Sequence, residues 1–506
     1  MLPGTVWQKV LPLLGLSGTT PSKQPAWDLK QLFGPHLSAG AAIYLPSDSN
    51  YTDHVTQRWT THAPPSYAGT VVPATVSDVA NVVKIAAAND IPFLATGGGH
   101  GVSIQMEDLQ DGLQVDLQRF KSVHFDPQTR LLTVGGGVRF SDLIEPLLAS
   151  GNQFPLGTAY CVGVIGATLG GGVSANQGYT GLLIDLLESV QLVTAKGDVI
   201  TASRTENADL FWGLTGAGAN FGIVTSAVFR VPQTVNGGHV TNANYLFTRN
   251  QSEAFFGYLA SLDDDLPPQM ALNIATAYNA TDDQLILLVN VNFAGTPSSA
   301  APHLARLEAL GPLRSEVLDV AWPDVFATSY FGIEDTKACG RNQHVNMRSV
   351  GVTRTDPEAL AAFLGELQRF NRERPEVITA MVLHRFSTAA VLEVPDEETA
   401  YPHRNIKMHI QLESEYEDRS HDEAVDAFLR SARRNMTAVS GFGSPRVYVN
   451  FAHGDEGPDV WYGARKLRRL VRLKRQWDPQ GRFSFYNAIP LTPLPVMMDF
   501  LDEEDL

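Results

Sequence analysis

Apolar and polar positions follow two different rhythms along this chain. From about Pro64, short apolar runs alternate with stretches of helical spacing. SYAGTVVPAT has the pattern of a strand, and VSDVANVVKIAAAND places its apolar residues on one helical face with an Asp near its start. IPFLATGGGHG predicts a strand running into a glycine loop, DGLQVDLQRF a strand and turn, and RLLTVGGGVRFSDLIEPLLAS a strand, turn and helix. This rhythm ends with NFGIVTSAVFRVPQ, near Gln233. Beyond it, NANYLFT, MALNIATAYN and QLILLVNVNFAG are long alternating strands, interleaved with helical HLARLEAL and PEALAAFLGELQRFNRERP. That combination predicts an antiparallel sheet backed by helices. From about Pro445 the first rhythm returns in RVYVNFAHG, a helix with one basic face at 465–475, and WDPQGRFSFYNAIPL.

The expected fold class is therefore α+β in two lobes. Residues 1–63 form an N-terminal segment, 64–235 the first lobe, 236–444 the second, and 445–506 complete the first. A chain of 506 residues exceeds what one hydrophobic core organises, which agrees with two lobes.

Composition narrows the function classes. The chain is 44% hydrophobic and 18% charged, as ordinary globular proteins are. Its formal net charge of −16 argues against nucleic acid or an anionic membrane as partner, since both call for a basic surface. No apolar run approaches the roughly 20 residues needed to span a bilayer. Two cysteines, Cys161 and Cys339, allow one disulfide at most, and no Cys/His spacing suggests a metal site. The start carries a weak apolar patch, Val10–Leu16, and N-x-S/T sequons occur at Asn50, Asn250, Asn279 and Asn435. Both a secreted and a cytoplasmic protein fit these features.

Candidate chemistry gathers at three glycine runs. Gly97-Gly98-Gly99-His100-Gly101 directly follows an apolar strand; Gly170-Gly171-Gly172 follows Val162-Gly163 and Gly166; the third is Gly216-Ala217-Gly218-Ala219-Asn220-Phe221-Gly222. Glycine lets a backbone approach a ligand closely, and the exposed N–H groups suit phosphate oxygens. None of the runs has the GxGxxG spacing, strand–helix context and downstream acid of a nicotinamide-type dinucleotide fold. Tight turns alone would explain one such run better than three.

In this order, ATGGGHG, CVGVIGATLGGG, DLFWGLTGAGANFGIVT, YVNFAHGDEG and RQWDPQGRFSFYNAIPL make the chain resemble the berberine bridge enzyme-like FAD-linked oxidases. That family belongs to the vanillyl-alcohol oxidase group with its PCMH-type FAD-binding domain, and the likeness is to its fungal secondary-metabolite branch. It spans about Pro64 to Pro490. The resemblance implies that the loop Thr96, Gly97, Gly98, Gly99, His100 and Gly101 binds FAD, with His100 bonded to the flavin 8α carbon. Thr96 stands where the family has arginine. Members with a second flavin bond use a cysteine in Cys-x-x-Val-Gly; counting back from Val162-Gly163, that position is Ala159. A single link through His100 is expected, with Cys161 a small buried side chain. Val162 falls on the family's oxygen-access position, where valine accompanies oxygen-reactive members, so O2 is the expected electron acceptor. Gly163, Gly166, Gly170, Gly171, Gly172, Asp185, Gly222, Val224, Tyr486 and Asn487 match other positions shaping the FAD site.

The catalytic residues are less clearly marked. Where sugar-oxidising relatives read Leu-Asn-Tyr with the tyrosine as base, this chain reads Val449-Asn450-Phe451, and phenylalanine accepts no proton. Strand alternation would put Tyr448 and Asn450 together on one face. In KMHIQLESEYE the same alternation aligns His409, Gln411, Glu413 and Glu415. His409 and Gln411 are the candidates there, His384 a weaker one. The resemblance implies oxidation of a small organic metabolite by hydride transfer to flavin N5, with H2O2 as product. The alternative is a redox-neutral isomerase or cyclase on the same scaffold.

Overall fold

A computed structural model describes residues 27–333 and 336–492. The apolar patch at Val10–Leu16 lies outside the described residues.

Three sheets organise the chain. In the first, β1 (Ala42–Tyr44), β2 (Tyr67–Val72), β3 (Phe93–Thr96) and β4 (Gly112–Asp116) lie in the order β1-β2-β4-β3. β4 runs parallel to both β2 and β3. Parallel strands need a crossover connection, and the helix Val76–Ala88 carries the chain from β2 across to β3 on the far side of β4. It begins where the sequence signals it: the Thr75 side chain accepts from Asp78 N while Asp78 accepts from Thr75 N, a closed capping box.

The second sheet holds β5 (Val123–Asp126), β6 (Leu131–Gly135), β7 (Leu187–Val193), β8 (Val199–Ser203) and β9 (Ile223–Arg230) in the order β5-β6-β9-β7-β8, all antiparallel. The GAGANFG run leads into β9, as its apolar alternation predicts.

The third sheet has seven antiparallel strands: β10 (His239–Thr248), β11 (Met270–Asn279), β12 (Gln284–Phe293), β13 (Arg314–Ala321), β14 (Val345–Val352), β15 (Ile378–Phe386) and β16 (Met408–Glu415). They run β13-β10-β12-β11-β15-β16-β14. Helices Ser252–Ser261, Pro357–Glu373 and Asp422–Ala438 pack one face through Phe255, Leu364, Leu367 and Leu429 against Ile274, Leu383 and Ile410. The opposite face is polar in its centre, with His384, His409 and Gln411 buried there. An antiparallel sheet can leave its second face in water; here the centre of that face is covered instead, His409 packing on Tyr448 and Phe451 of the returning chain end.

The chain end returns to the first lobe. Trp461, Tyr462, Leu467 and Leu470 join the core around Leu183, Phe221 and Phe229. The basic helix is Ala464–Trp477, and not all of its charge is solvated. Lys466 is buried, donating to the Thr399 and Tyr401 carbonyls and to Asp396. Lys474 is buried on Asp478 at 2.7 Å and on the Asn220 and Phe483 carbonyls. A buried ammonium survives only with its donors used; Lys466 ties the tail to the 396–401 stretch of the second lobe and Lys474 ties it to Asn220 of the first.

Two expectations are corrected. Val449–Phe451 is a turn of 3-10 helix, not a strand, with Phe451 N bonded to Tyr448 O at 2.8 Å. Cys161 is buried but is not merely a packed side chain: it is bonded to Cys339 across a sequence separation of 178. Nothing local in the sequence pairs those two residues.

Candidate active site

Between the lobes lies a cavity of about 380 Å³. One end is made of backbone. The loop after β3 supplies Thr96, Gly97, Gly98, Gly99, His100 and Gly101; the loop before helix Val164–Leu169 supplies Ala159, Val162 and Gly163, and the helix itself Gly166. These loops touch main chain to main chain. A Cβ on Gly98 would sit 2.4 Å from Gly163 N, and one on Gly163 2.8 Å from Gly98 N. Gly99 adopts φ 74°, a left-handed turn that suits glycine. Gly170, Gly222, Val224 and Tyr486 also line the wall, with Gly216, Ala217 and Gly218 of the third glycine run.

Cations surround this end. Arg341 donates to Gly98 O at 2.8 Å, and Arg58 donates to Gly101 O. Arg341 Nη2 and His100 Nε2 are buried without a hydrogen-bond partner. Burial, then Arg341, Arg139 and Arg58, holds His100 down to about 3, so its imidazole is neutral near pH 7.

Four predicted cofactor residues stand behind the wall rather than in it. Asp185 is held by Arg404 in a two-pronged pair at 2.7 and 3.0 Å and caps a turn through Leu182 N. Asn487, with φ 43°, donates to Val449 O at 2.8 Å and accepts from Tyr462 on its carbonyl, fixing the Val449–Phe451 turn. Gly172 N donates to the Tyr448 hydroxyl at 3.0 Å. Gly171 packs against Tyr401, whose ring a Cβ would meet at 2.9 Å. All four position the wall without lining it.

The other end is built of side chains from the sheet of the second lobe. Gln411 and Glu413 of β16 line it with Met347 of β14, Phe451, and Trp59 from the N-terminal segment. Register explains the grouping: Met347 pairs with Glu413, and Ser349 with Gln411, on one face. Asn450 and Tyr448 also line the cavity and do meet, Asn450 Nδ2 donating to Tyr448 Oη at 2.8 Å. Their meeting comes from the 3-10 turn, not from strand alternation. Tyr448 Oη accepts from Gly172 and donates to Ala167 O, and burial raises its pKa. It is a buttress with its hydrogen bonds used.

His409 does not reach the cavity wall. Its ring packs 5.7 Å from Tyr448 and 5.8 Å from Phe451, and burial holds it down to about 3. His384 is also behind the wall, with Nδ1 2.9 Å from Asn273 Oδ1 and Nε2 3.3 Å from Gln411 Oε1, and is held down to about 4 by burial. A group that remains neutral to such low pH is a weak proton acceptor. Glu413 sits on the strand face that the alternation marks, yet nothing local separates it from Glu415. Trp59 and Met347 carry no sequence signal of their role.

The disulfide sits beside this cavity. Cys161 precedes wall residue Val162 and Cys339 follows wall residue Ala338, so the bond ties the two lobes at the cavity's edge. Among the described residues no helix is long and apolar enough to cross a membrane.

Comparison with known proteins agrees with this geometry. Residues 67–203 match the FAD binding domain model, and 447–490 match the model named berberine and berberine like. The FAD-linked oxidoreductase azaG of Aspergillus niger is 44% identical over 454 residues, 89% of this chain and 97% of that protein. Among solved structures, Physcomitrella patens BBE-like 1 superposes with a TM-score of 0.80 at 23% identity, covering 92% of this chain and 100% of that one. The glucooligosaccharide oxidase of Acremonium strictum, whose FAD is 6-S-cysteinyl and 8α-N1-histidyl, has a TM-score of 0.77 at 22% identity, with 91% and 98% covered. With a relative this similar over nearly its whole length, the chain belongs to the berberine bridge enzyme-like family of FAD-linked oxidoreductases.

Proposed function

We propose that this enzyme is an oxidase of a small organic metabolite of the secondary type, using O2 as electron acceptor and releasing H2O2. The observation that carries this reading is the two-ended cavity: a cationic glycine cradle faces a carboxylate and an amide across one continuous space.

The residues present fit FAD. Gly98 and Gly163 bring the two loops together where a Cβ would force them apart, and the buried Arg341 Nη2 and His100 Nε2 beside the cavity have no protein partner, so a bound cofactor can supply one. When bound, the flavin supplies acceptance of a hydride from the substrate and its return as two electrons to O2. The chain's own residues do the rest. The loop 96–101 and Gly163 hold the diphosphate by main-chain N–H groups, with Arg58 and Arg341 raising the local positive potential. Neutral His100 offers a lone pair for a covalent bond to the flavin. Ala159, at the family's cysteine position, has no nucleophile, so one link is proposed where the Acremonium strictum enzyme has two. Val162, small and on the wall, leaves room for O2.

Glu413 is the proposed proton acceptor, its carboxylate taking the substrate's O–H or N–H proton. Gln411 orients the substrate by an amide hydrogen bond, and Trp59, Met347 and Phe451 exclude water. Phe451 also motivates a second reading, isomerisation or cyclisation without net oxidation.

The deciding experiment is aerobic turnover with an oxygen electrode and a peroxide assay, on a substrate whose conversion mass spectrometry has identified in a metabolite panel. Stoichiometric O2 loss and H2O2 gain support the oxidase. Product formed with neither sinks it in favour of the redox-neutral reading.

A further inference from the structure

Outside the cavity, residues far apart in sequence gather at a second place. His62 ends the N-terminal segment that contains Trp59, His344 immediately precedes β14, and Asp422 opens the helix Asp422–Ala438. One ligand-capable atom from each lies within 4.8 Å of the other two. His344 Nε2 is 3.2 Å from Asp422 Oδ1. A tetrahedral cation with bonds of about 2.1 Å holds its ligand atoms about 3.4 Å apart, so this pair already has the required spacing.

Further observations point to a ligand. The His344 side chain is 8% exposed, so its Nε2, 3.2 Å from Asp422 Oδ1, is held out of bulk water. The Asp422 carboxylate is oriented from outside the triad by Tyr416, whose hydroxyl donates to Oδ1 at 2.8 Å. Such a supporting hydrogen bond is the common second layer of a metal site. His453 lies beside the cluster, its ring 5.9 Å from that of His62. Its Nδ1 donates to the Met347 carbonyl at 2.9 Å, which leaves the lone pair on Nε2.

We propose that His62, His344 and Asp422 form a binding site for one borderline divalent transition cation, of the Zn²⁺, Co²⁺ or Cu²⁺ type. Two imidazoles and one carboxylate suit these ions, whereas Mg²⁺ and Ca²⁺ require oxygen ligands. The ion would join three segments beside the cavity: Trp59 is three residues before His62, Met347 three residues after His344, and Tyr416 directly follows β16. Its role is to staple the substrate-side wall, and no redox or catalytic step passes through it.

The test uses the full-length flavin-loaded protein, dialysed against chelator and titrated with ZnCl2 by calorimetry and with CoCl2 by visible absorption. One equivalent should bind, with cobalt d–d bands of a low-coordinate nitrogen–oxygen site and a higher melting temperature. His62→Gln and Asp422→Asn should each weaken binding at least about tenfold while leaving the flavin spectrum unchanged. His62 is partly exposed, so its variant separates ligand loss from misfolding. Absence of saturable stoichiometric binding, or equal binding by wild type and both variants, overturns the proposal.

Discussion

At the flavin end of the cavity the walls are main chain, and Gly98 and Gly163 meet so closely that neither can carry a side chain. At the opposite end they are side chains, Gln411, Glu413, Met347, Phe451 and Trp59, drawn from a sheet, a turn and an N-terminal segment. The first construction constrains sequence tightly, because a Cβ is excluded by backbone. The second constrains it loosely, since any residue whose side chain fills the register position can stand there. One scaffold can therefore keep its cofactor while changing its substrate.

Substitutions at either end test this contrast. The largest expected effect is His100→Ala, which should abolish acid-stable flavin colour, read from the pellet and supernatant after acid precipitation; colour persisting in the pellet would assign the link elsewhere. Next, Glu413→Gln should lower kcat about 10²- to 10⁴-fold with little change in flavin content, as loss of a positioned base does. His409→Gln, behind the wall, should change kcat far less; the reverse order in steady-state kinetics would return the base to His409. Gly98→Ala should destabilise the fold by about 1–3 kcal/mol and reduce flavin content, both measured on the purified variant by denaturation and absorbance. Unaltered flavin content would mean the two loops can separate.

Acid should act through buried histidines of both lobes, His100 of the first among them. Burial holds His409 to about 3 and His384 and His403 to about 4, against an ordinary value of 6.5. Between pH 6.5 and about 4 the unfolded chain therefore binds more protons than the folded one, and stability falls as pH falls. Each histidine contributes a loss of up to about 1.4 kcal/mol per pH unit in that window. Urea melts at pH 7 and 5 check it; equal stabilities would show that these rings are protonated in the fold. The smallest effect belongs to Ala159→Cys, which should add a second flavin bond. It is detected as acid-stable colour surviving in the His100→Ala background.

Sequence and structure agree where backbone dictates residue type. The strand-to-glycine-loop transition at Thr96–Gly101 was legible because glycine alone permits the approach of Gly98 to Gly163. The long strands of the third sheet were legible because one apolar face imposes a period of two. Asp185 and Asn487 were harder: both matter to the site, but through Arg404 and Val449, and a one-dimensional pattern does not distinguish lining a wall from bracing it. Alternation misassigned Val449–Phe451, since three residues hold either a strand or a single 3-10 turn, and the turn is held by bonds from distant residues such as Asn487 to Val449 O and Ser349 to Phe451 O. The pairing of Cys161 with Cys339, and of His62 with His344, depends on how the lobes meet.

The return of the chain end to the first lobe governs when a binding site can exist during synthesis. The cavity wall begins at Arg58 and is not closed until Tyr486, and Trp461, Tyr462 and Leu467 fill a core begun before Leu183. Until the helix Ala464–Trp477 leaves the ribosome, that core lacks the side chains that helix contributes. Flavin loading should therefore follow synthesis of the chain through Tyr486, and a chain stopped short of Lys474 should purify colourless.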